Sequence, residues 1–180
     1  MAPASILLLS GSVREGSVNT AVLRTAAELL PAGLSPVVFT GLGGLPHFNP
    51  DLDHDPLPPA VAQLRSAIAD ASALLFSTPE YAGTLPGALK NLLEWTVGGV
   101  EITGKPTGWI NPSTGPTGAR GTYETLRTVL EYTDALVVPE ACVTATVNRA
   151  QIVDGLIADD GIRDRIHAAL AALAGAVESG

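Results

Sequence analysis

The first candidate site is a ten-residue segment rich in hydroxyl groups and glycines, residues 10–19, which reads Ser-Gly-Ser-Val-Arg-Glu-Gly-Ser-Val-Asn. Glycines allow the backbone to turn its N–H groups inward, and serine hydroxyls donate to anionic oxygens. A helix that begins just after the segment would add unpaired N–H donors. These features predict a phosphate-binding loop. The alternative is an ordinary strand-to-helix turn with Ser17 as the helix cap and Arg14 in solvent.

Two familiar phosphate motifs do not match this segment. The P-loop of nucleoside triphosphatases requires a lysine followed by serine or threonine, and residues 10–19 contain no lysine. The dinucleotide fingerprint requires three glycines at fixed spacing, whereas this segment has only Gly11 and Gly16. The sequence therefore disfavours nucleoside triphosphate hydrolysis and leaves a monophosphate, held by side chains as well as backbone.

Two later segments carry further polar and turn-forming residues. Residues 77–91 read Ser-Thr-Pro-Glu-Tyr-Ala-Gly-Thr-Leu-Pro-Gly-Ala-Leu-Lys-Asn, and residues 111–118 read Asn-Pro-Ser-Thr-Gly-Pro-Thr-Gly. Each begins at the end of a short apolar run, where α/β proteins place functional loops. Both are therefore interpreted as site loops.

The elements that must position these loops are short apolar runs alternating with longer segments of helical periodicity. This pattern is typical of βαβ units, and the unbroken apolar runs indicate strands buried on both faces. The predicted strands are residues 5–9, 36–40, 73–77, 107–111 and 135–138, and the predicted helices are residues 18–30, 59–70, 87–97, 119–132 and 163–177.

Right-handed crossovers between these strands predict a doubly wound three-layer α/β sandwich, formed by one domain over residues 1–180. In the flavodoxin-like strand order 2-1-3-4-5, the chain reverses direction between strands 1 and 3, and ligands bind in the crevice at that point. The three loops would then enclose one planar ligand.

The composition excludes several classes of binding partner and location. Ten Lys and Arg against 18 Asp and Glu give a net charge of −8, which argues against nucleic acid as a partner. No apolar window reaches the roughly 18 to 20 residues of a membrane span, and residues 1–9 lack a signal-peptide pattern. Cys142 is the single cysteine, so neither an intramolecular disulfide nor a cysteine-based zinc site is available. We expect a cytoplasmic protein.

The remaining reactive or bulky side chains favour structural roles. Histidines and aspartates between residues 47 and 55 match no common metal-ligand spacing, so we expect a solvated rim and no metal site. Cys142 is expected to be buried and inert. Trp95 and Trp109 are expected to anchor the core or an interface.

The chain resembles the NADPH-dependent FMN reductases of flavodoxin-like fold, a family that includes quinone, azo-dye and chromate reductases. The resemblance covers nearly the whole chain. Its most specific parts are Gly-Ser-x-Arg-x-x-Ser-x-Asn at residues 11–19 and Thr-Pro-Glu-Tyr-x-Gly-x-x-Pro-Gly-x-Leu-Lys-Asn at residues 78–91, followed by Glu94 and Trp95. For Trp95 the family suggests a subunit contact.

The resemblance implies which residues hold an FMN cofactor. Its phosphate would lie in the loop at Gly11, on Ser12, Arg14, Ser17 and Asn19. Its ring would lie against the backbone of Pro79, Glu80, Tyr81, Ala82 and Gly83, with Ser113, Gly115 and their neighbours on the other side. The family usually has asparagine where this chain has Ala82, which keeps the backbone N–H but lacks the side-chain amide.

The resemblance also implies an oxidoreductase. Hydride would pass from NADPH, or NADH, to FMN, and two electrons would then pass to a small acceptor such as a quinone, azo compound, free flavin or metal oxyanion. The cofactor carries this chemistry, so no catalytic acid or base is assigned. The family implies a homodimer or homotetramer. Two alternatives are a flavodoxin-like electron carrier, which takes electrons from a protein partner, and a degenerate member without flavin.

Overall fold

The computed structural model describes residues 4–179; residues 1–3 and 180 of the predicted domain lie outside the described residues. In chain order the elements are β1 Ala4–Ser10, α1 Val18–Glu28, β2 Leu34–Phe39, α2 Pro59–Asp70, β3 Ala73–Ser77, α3 Gly87–Glu94, β4 Pro106–Asn111, α4 Arg120–Tyr132, β5 Leu136–Thr144, β6 Ile152–Val153, β7 Leu156–Ile157 and α5 Asp160–Ser179. Short 3₁₀ turns lie at Leu42–Gly44, Pro50–Leu52 and Arg149–Gln151. Within residues 4–179, no helix is long and apolar enough to cross a lipid bilayer.

Five parallel strands form the main sheet in the order β2-β1-β3-β4-β5. This confirms the predicted strand order and the flavodoxin-like α/β class. The direction in which the chain winds reverses at β1, which lies between β2 and β3 in the sheet. A crevice therefore opens at the carboxyl ends of β1 and β3.

Two hydrophobic clusters, one on each face of the sheet, explain the unbroken apolar runs. Along β1, Leu7 and Leu9 pack into the cluster formed with α2, α3 and α4. The intervening Ile6 and Leu8 pack into the cluster formed with α1 and α5. Because the central strands β1 and β3 are buried on both faces, most of their positions are apolar.

The fifth strand was predicted too short. It was expected at residues 135–138, but β5 continues to Thr144. Its register with β4 shifts between Thr107, which pairs with Val137, and Trp109, which pairs with Cys142. Pro139 lies in this irregular stretch, where its missing N–H costs no ladder hydrogen bond. Because Pro139 and Glu140 interrupt the apolar pattern, the periodicity did not indicate the second half of the strand.

A small antiparallel hairpin, β6–β7, was missed between β5 and α5. Its turn is Asp154-Gly155, and both residues have positive φ. Asp-Gly between apolar pairs is a strong hairpin signal that could have located it. The following helix begins at Asp160, earlier than the predicted residue 163, because Asp159 accepts the N–H of Ile162 at 3.0 Å and so caps it.

Candidate functional site

A cleft of about 380 Å³ opens at the carboxyl edge of the sheet. This volume lies within the range of small-molecule sites, roughly 300–1,000 Å³. Three loops supply its walls: the loop before α1, the loop after β3 and the loop after β4. The lining residues are Val18, Asn19, Thr78, Pro79, Glu80, Pro112, Ser113, Thr114, Gly115, Pro116, Thr117 and Val147.

The first loop reaches the cleft through a close approach to β3. The Gly11 N–H donates to the Ser77 carbonyl at 2.9 Å, and a Cβ at residue 11 would overlap the Thr78 hydroxyl. Only glycine fits at this position. Gly16 has a φ of +63°, which turns the chain into α1.

Ser17 caps α1, as the alternative interpretation of this loop proposed. Its Oγ accepts the Thr20 N–H at 3.0 Å and lies 2.8 Å from the Thr20 hydroxyl. Ser17 is buried, whereas Arg14 is exposed. Capping and anion binding are compatible here because the N–H groups of the first turn point out of the helix end.

The loop after β3 forms a tight two-residue turn. Tyr81 and Thr84 pair in both directions, with N···O distances of 3.0 and 3.2 Å. The two residues between them, Ala82 and Gly83, have φ values of +51° and +80°. Positive φ at both central positions is typical of a type I′ turn, in which Asn-Gly is preferred. This accounts physically for the asparagine that the family usually has at residue 82.

Helix α4 supports this turn. A Cβ on Gly121 would overlap the Gly83 carbonyl oxygen, so the helix backbone lies directly against the turn. The Thr84 and Thr125 hydroxyls lie 3.0 Å apart. The turn is therefore fixed relative to the start of α4.

The loop after β4 is organised by Asn111. Its Oδ1 accepts the Ser113 N–H at 3.0 Å, and its Nδ2 donates to the Gly118 carbonyl at 2.8 Å. At the mouth of the cleft, the Thr117 hydroxyl donates to Glu80 Oε1 at 2.9 Å. Glu80 thus joins the second and third loops.

Tyr123 of α4 holds the two strand ends beneath these loops. Its hydroxyl lies 3.1 Å from the Thr78 and Ile110 carbonyl oxygens and accepts the Thr78 N–H at 3.3 Å. Burial raises the pKa of the Tyr123 phenol above its ordinary range, against the opposing effect of the hydrogen bond with the Thr78 backbone. The phenol therefore stays protonated and can donate. Sequence reasoning missed this residue because its partners are backbone atoms distant in sequence.

The end of β5 supplies a fourth part of the cleft wall. The Ala145 N–H donates to the Asn111 carbonyl at 2.9 Å, and the Val147 N–H donates to the Pro112 carbonyl at 3.1 Å. Val147 was not expected at the site, because the predicted strand ended at residue 138. A longer β5 would have brought residues 145–147 to the same sheet edge.

Of the sequence-predicted site residues, five line the cleft: Asn19, Pro79, Glu80, Ser113 and Gly115. The other seven lie in the same loops outside the lining: Gly11, Ser12, Arg14, Ser17, Tyr81, Ala82 and Gly83. Gly11 and Ser17 are buried behind the first loop, and Tyr81 is half exposed.

Asn91 of α3 and Trp95, which directly follows α3, hold the loop after β2 in place. Asn91 Oδ1 accepts the Phe48 N–H at 2.7 Å, and both the Asn91 Nδ2 and the Trp95 Nε1 donate to the Pro46 carbonyl, at 2.9 and 2.8 Å. Trp95 is fully buried within the chain. The suggested subunit contact through Trp95 is therefore wrong, and the motif residue serves the core instead.

The acidic and histidine-bearing segment is less solvated than expected. Asp53 and Arg65 form an ion pair at 2.6 Å, with both side chains about nine-tenths buried. Arg65 Nε also donates to the Trp95 carbonyl at 2.9 Å. Among residues 4–179, no three His, Cys, Asp or Glu side chains are grouped closely enough to hold a metal.

Cys142 is half-buried on β5, less enclosed than predicted. Its Sγ donates to the Val138 carbonyl at 3.2 Å. Burial raises the pKa of the thiol to about 11, although Arg127 partly offsets the effect. The thiol is therefore protonated near neutral pH, and the expectation that it is inert agrees with this chemistry.

Known proteins match both the sequence and this fold. A family model described as NADPH-dependent FMN reductase matches residues 4–148. An NAD(P)H-dependent FMN reductase of Pseudomonas aeruginosa is 38% identical over 173 residues, which cover 93% of this chain and 92% of that protein. A 2-hydroxy-1,4-benzoquinone reductase of a Burkholderia species is 33% identical over 160 residues, 86% of each protein.

A solved structure agrees with these sequence matches. The flavoenzyme FerB, an NAD(P)H:(acceptor) oxidoreductase from Paracoccus denitrificans, aligns over 98% of both chains with a TM-score of 0.84 and 26% identity. The resemblance drawn from the loops after β1 and β3 is thus confirmed over most of the chain. This chain belongs to the NADPH-dependent FMN reductase family.

Proposed function

We propose that this chain is an NAD(P)H-dependent oxidoreductase that holds FMN in the cleft and reduces a small acceptor. The observation that carries the proposal is the meeting of both family motifs at one cleft of about 380 Å³. When bound, FMN supplies the redox chemistry, accepting hydride from NADPH or NADH and giving two electrons to the acceptor. The protein's own groups bind and orient.

The first loop suits the phosphate of the cofactor. Arg14 lies in the exposed part of the loop, Ser12 is half-buried, and Ser17 and Asn19 lie at the start of α1. Arg14 forms no ion pair within residues 4–179, so its guanidinium is free for an anion. In a chain of net charge −8, this local set of donors offers an anion a favourable environment.

The second and third loops suit the planar ring. The turn at residues 81–84 is rigid, and Pro79, Ser113 and Gly115 present backbone and small side chains to the cleft. Half-exposed Tyr81 extends the wall. The mechanism assigns no side chain as acid or base; the walls exclude water and fix the ring.

Quinones are the acceptor class that the relatives favour most. Relatives named quinone reductase or 2-hydroxy-1,4-benzoquinone reductase are 29 to 33% identical to this chain. Azo compounds, free flavins and metal oxyanions are further candidates, because the reduced cofactor rather than a side chain would deliver the electrons.

The test is NADPH oxidation with 1,4-benzoquinone as acceptor. FMN-loaded protein is compared with protein stripped of flavin and with FMN alone. The proposal predicts turnover only in the loaded protein. Equal rates with and without protein would contradict it.

The proposal includes assembly and location. We infer a homodimer or homotetramer, supported by the family resemblance and by an exposed apolar group at Val97, Val100 and Tyr132, which border one groove. Sedimentation velocity tests this, and Val100→Asp is expected to weaken assembly. A cytoplasmic location is supported by the single cysteine and is tested by cell fractionation.

A further inference from the structure

A buried hydrogen bond beneath the cleft joins the start of α1 to the end of β3. The Ser77 hydroxyl donates to Asn19 Oδ1 at 3.0 Å. Ser77 is fully buried and Asn19 is 6% exposed, yet Asn19 also lines the cleft. Asn19 therefore connects the interior of the protein with the candidate site.

The chemistry of the amide makes this bond directional. A carboxamide has an acceptor oxygen and a donor NH₂ group, and the two exchange places when the group rotates by half a turn. Because Ser77 holds the oxygen in the interior, the Nδ2 donors remain for a ligand in the cleft. The opposite orientation would present oxygen lone pairs, which repel the oxygens of a phosphate.

The position of Ser77 is itself rigid. It is the last residue of β3 and pairs in register with Ser10 of β1. Its carbonyl accepts the Gly11 N–H at 2.9 Å, which ties it to the first loop as well. A residue whose backbone is held in this way presents its hydroxyl to its partner from a fixed position.

We propose that Ser77 is a positioning residue that turns the donor face of Asn19 towards the phosphate of FMN. The inference rests on the proposed function. It assigns Ser77 a role in discrimination between phosphorylated and unphosphorylated flavin, separate from its contribution to the core.

The test compares dissociation constants for FMN and riboflavin, which differ by the phosphate alone. They are measured by flavin fluorescence for the wild type, Ser77→Ala, Asn19→Ala and the double variant. Ser72→Ala is the matched control, because its hydroxyl accepts the Ser5 N–H at 3.3 Å at the opposite end of β3.

Loss of a directed hydrogen bond to phosphate is expected to lower the preference for FMN about threefold to tenfold in Ser77→Ala, and at least as much in Asn19→Ala. The double variant is expected to match Asn19→Ala, since Ser77 acts through Asn19. Riboflavin affinity and the Ser72→Ala preference stay at wild-type values. If Ser77→Ala fails to fold, Ser77→Cys, a weaker donor of similar size, takes its place.

The inference is overturned if Ser77→Ala keeps the wild-type preference, or if its effect adds to that of Asn19→Ala. A merely structural role would lower the melting temperature and weaken both flavins equally, which also overturns it. Failure of the wild type to bind either flavin would instead contradict the proposed function, and the inference with it.

Discussion

The Tyr123 hydroxyl both donates to the Thr78 carbonyl, at 3.1 Å, and accepts the Thr78 N–H, at 3.3 Å. The same hydroxyl lies 3.1 Å from the Ile110 carbonyl. One side chain of α4 thereby fixes the ends of β3 and β4, from which two walls of the cleft begin. The spacing of these walls depends on a buried phenol that belongs to neither loop.

Tyr123→Phe is expected to destabilise the protein by about 1–3 kcal/mol, because it leaves buried backbone groups without a partner. Urea unfolding of the flavin-free protein measures this. Tyr132→Phe is the control, since that side chain is 81% exposed. Equal stability of the two variants would show that the bridge contributes nothing.

Ala82→Gly and Ala82→Asn are expected to stabilise the protein. Ala82 has a φ of +51°, a conformation that costs alanine roughly 1–2 kcal/mol and suits glycine and asparagine. A gain of about 1 kcal/mol corresponds to a rise of about 2–4 °C in melting temperature. The control, Ala88→Gly in α3, is expected to lower it by a similar amount. Destabilisation by both Ala82 variants would contradict the turn geometry.

Arg65→Met is expected to cost about 3–5 kcal/mol, because it leaves the buried Asp53 carboxylate without its partner. Adding Asp53→Asn should recover part of this loss. The matched control is Lys90→Met, which breaks an exposed ion pair with Glu94 and should cost about 0–1 kcal/mol. Chemical unfolding of the wild type, the Arg65→Met and Asp53→Asn single variants and their double variant gives the coupling energy. Similar losses in Arg65→Met and Lys90→Met would refute the burial argument.

Alkylation of Cys142 is expected to follow an apparent pKa of about 11, against an ordinary value of 9.0. Because folding raises the pKa, the stability that this group contributes is fully present below pH 9 and is lost as the pH rises through about 11. The rate of iodoacetamide labelling from pH 7 to 11 measures the apparent pKa of the thiol, with free cysteine as the reference. An apparent pKa at or below 9 would contradict the effect of burial.

The sequence predicted the sheet and the position of the loops after β1, β3 and β4 well, because both leave local signals. Strands such as β1 are buried on both faces and therefore read as unbroken apolar runs. Hydroxyls, glycines and prolines concentrate where the chain turns at the carboxyl edge of the sheet. The strand order then placed the loops after β1, β3 and β4 at one edge.

What the sequence did not reveal depends on pairs that meet only in three dimensions. The sequence indicated that Asp53 is one of several solvated acids. In the structure it is buried in an ion pair with Arg65, twelve residues away. Trp95 was expected in the core or at an interface, and the sequence did not reveal that its indole N–H donates to the Pro46 carbonyl. Val147 lies at the cleft because β5 continues beyond Pro139, where the apolar pattern breaks.

The most direct test of the account is anaerobic mixing of the FMN-loaded protein with NADPH, followed by absorbance in the oxidised-flavin bands. An enzyme that takes hydride from the nicotinamide itself predicts bleaching without any partner protein, and return of the absorbance when 1,4-benzoquinone is added. Bound FMN that stays oxidised under excess NADPH and NADH would contradict the account and favour an electron carrier instead.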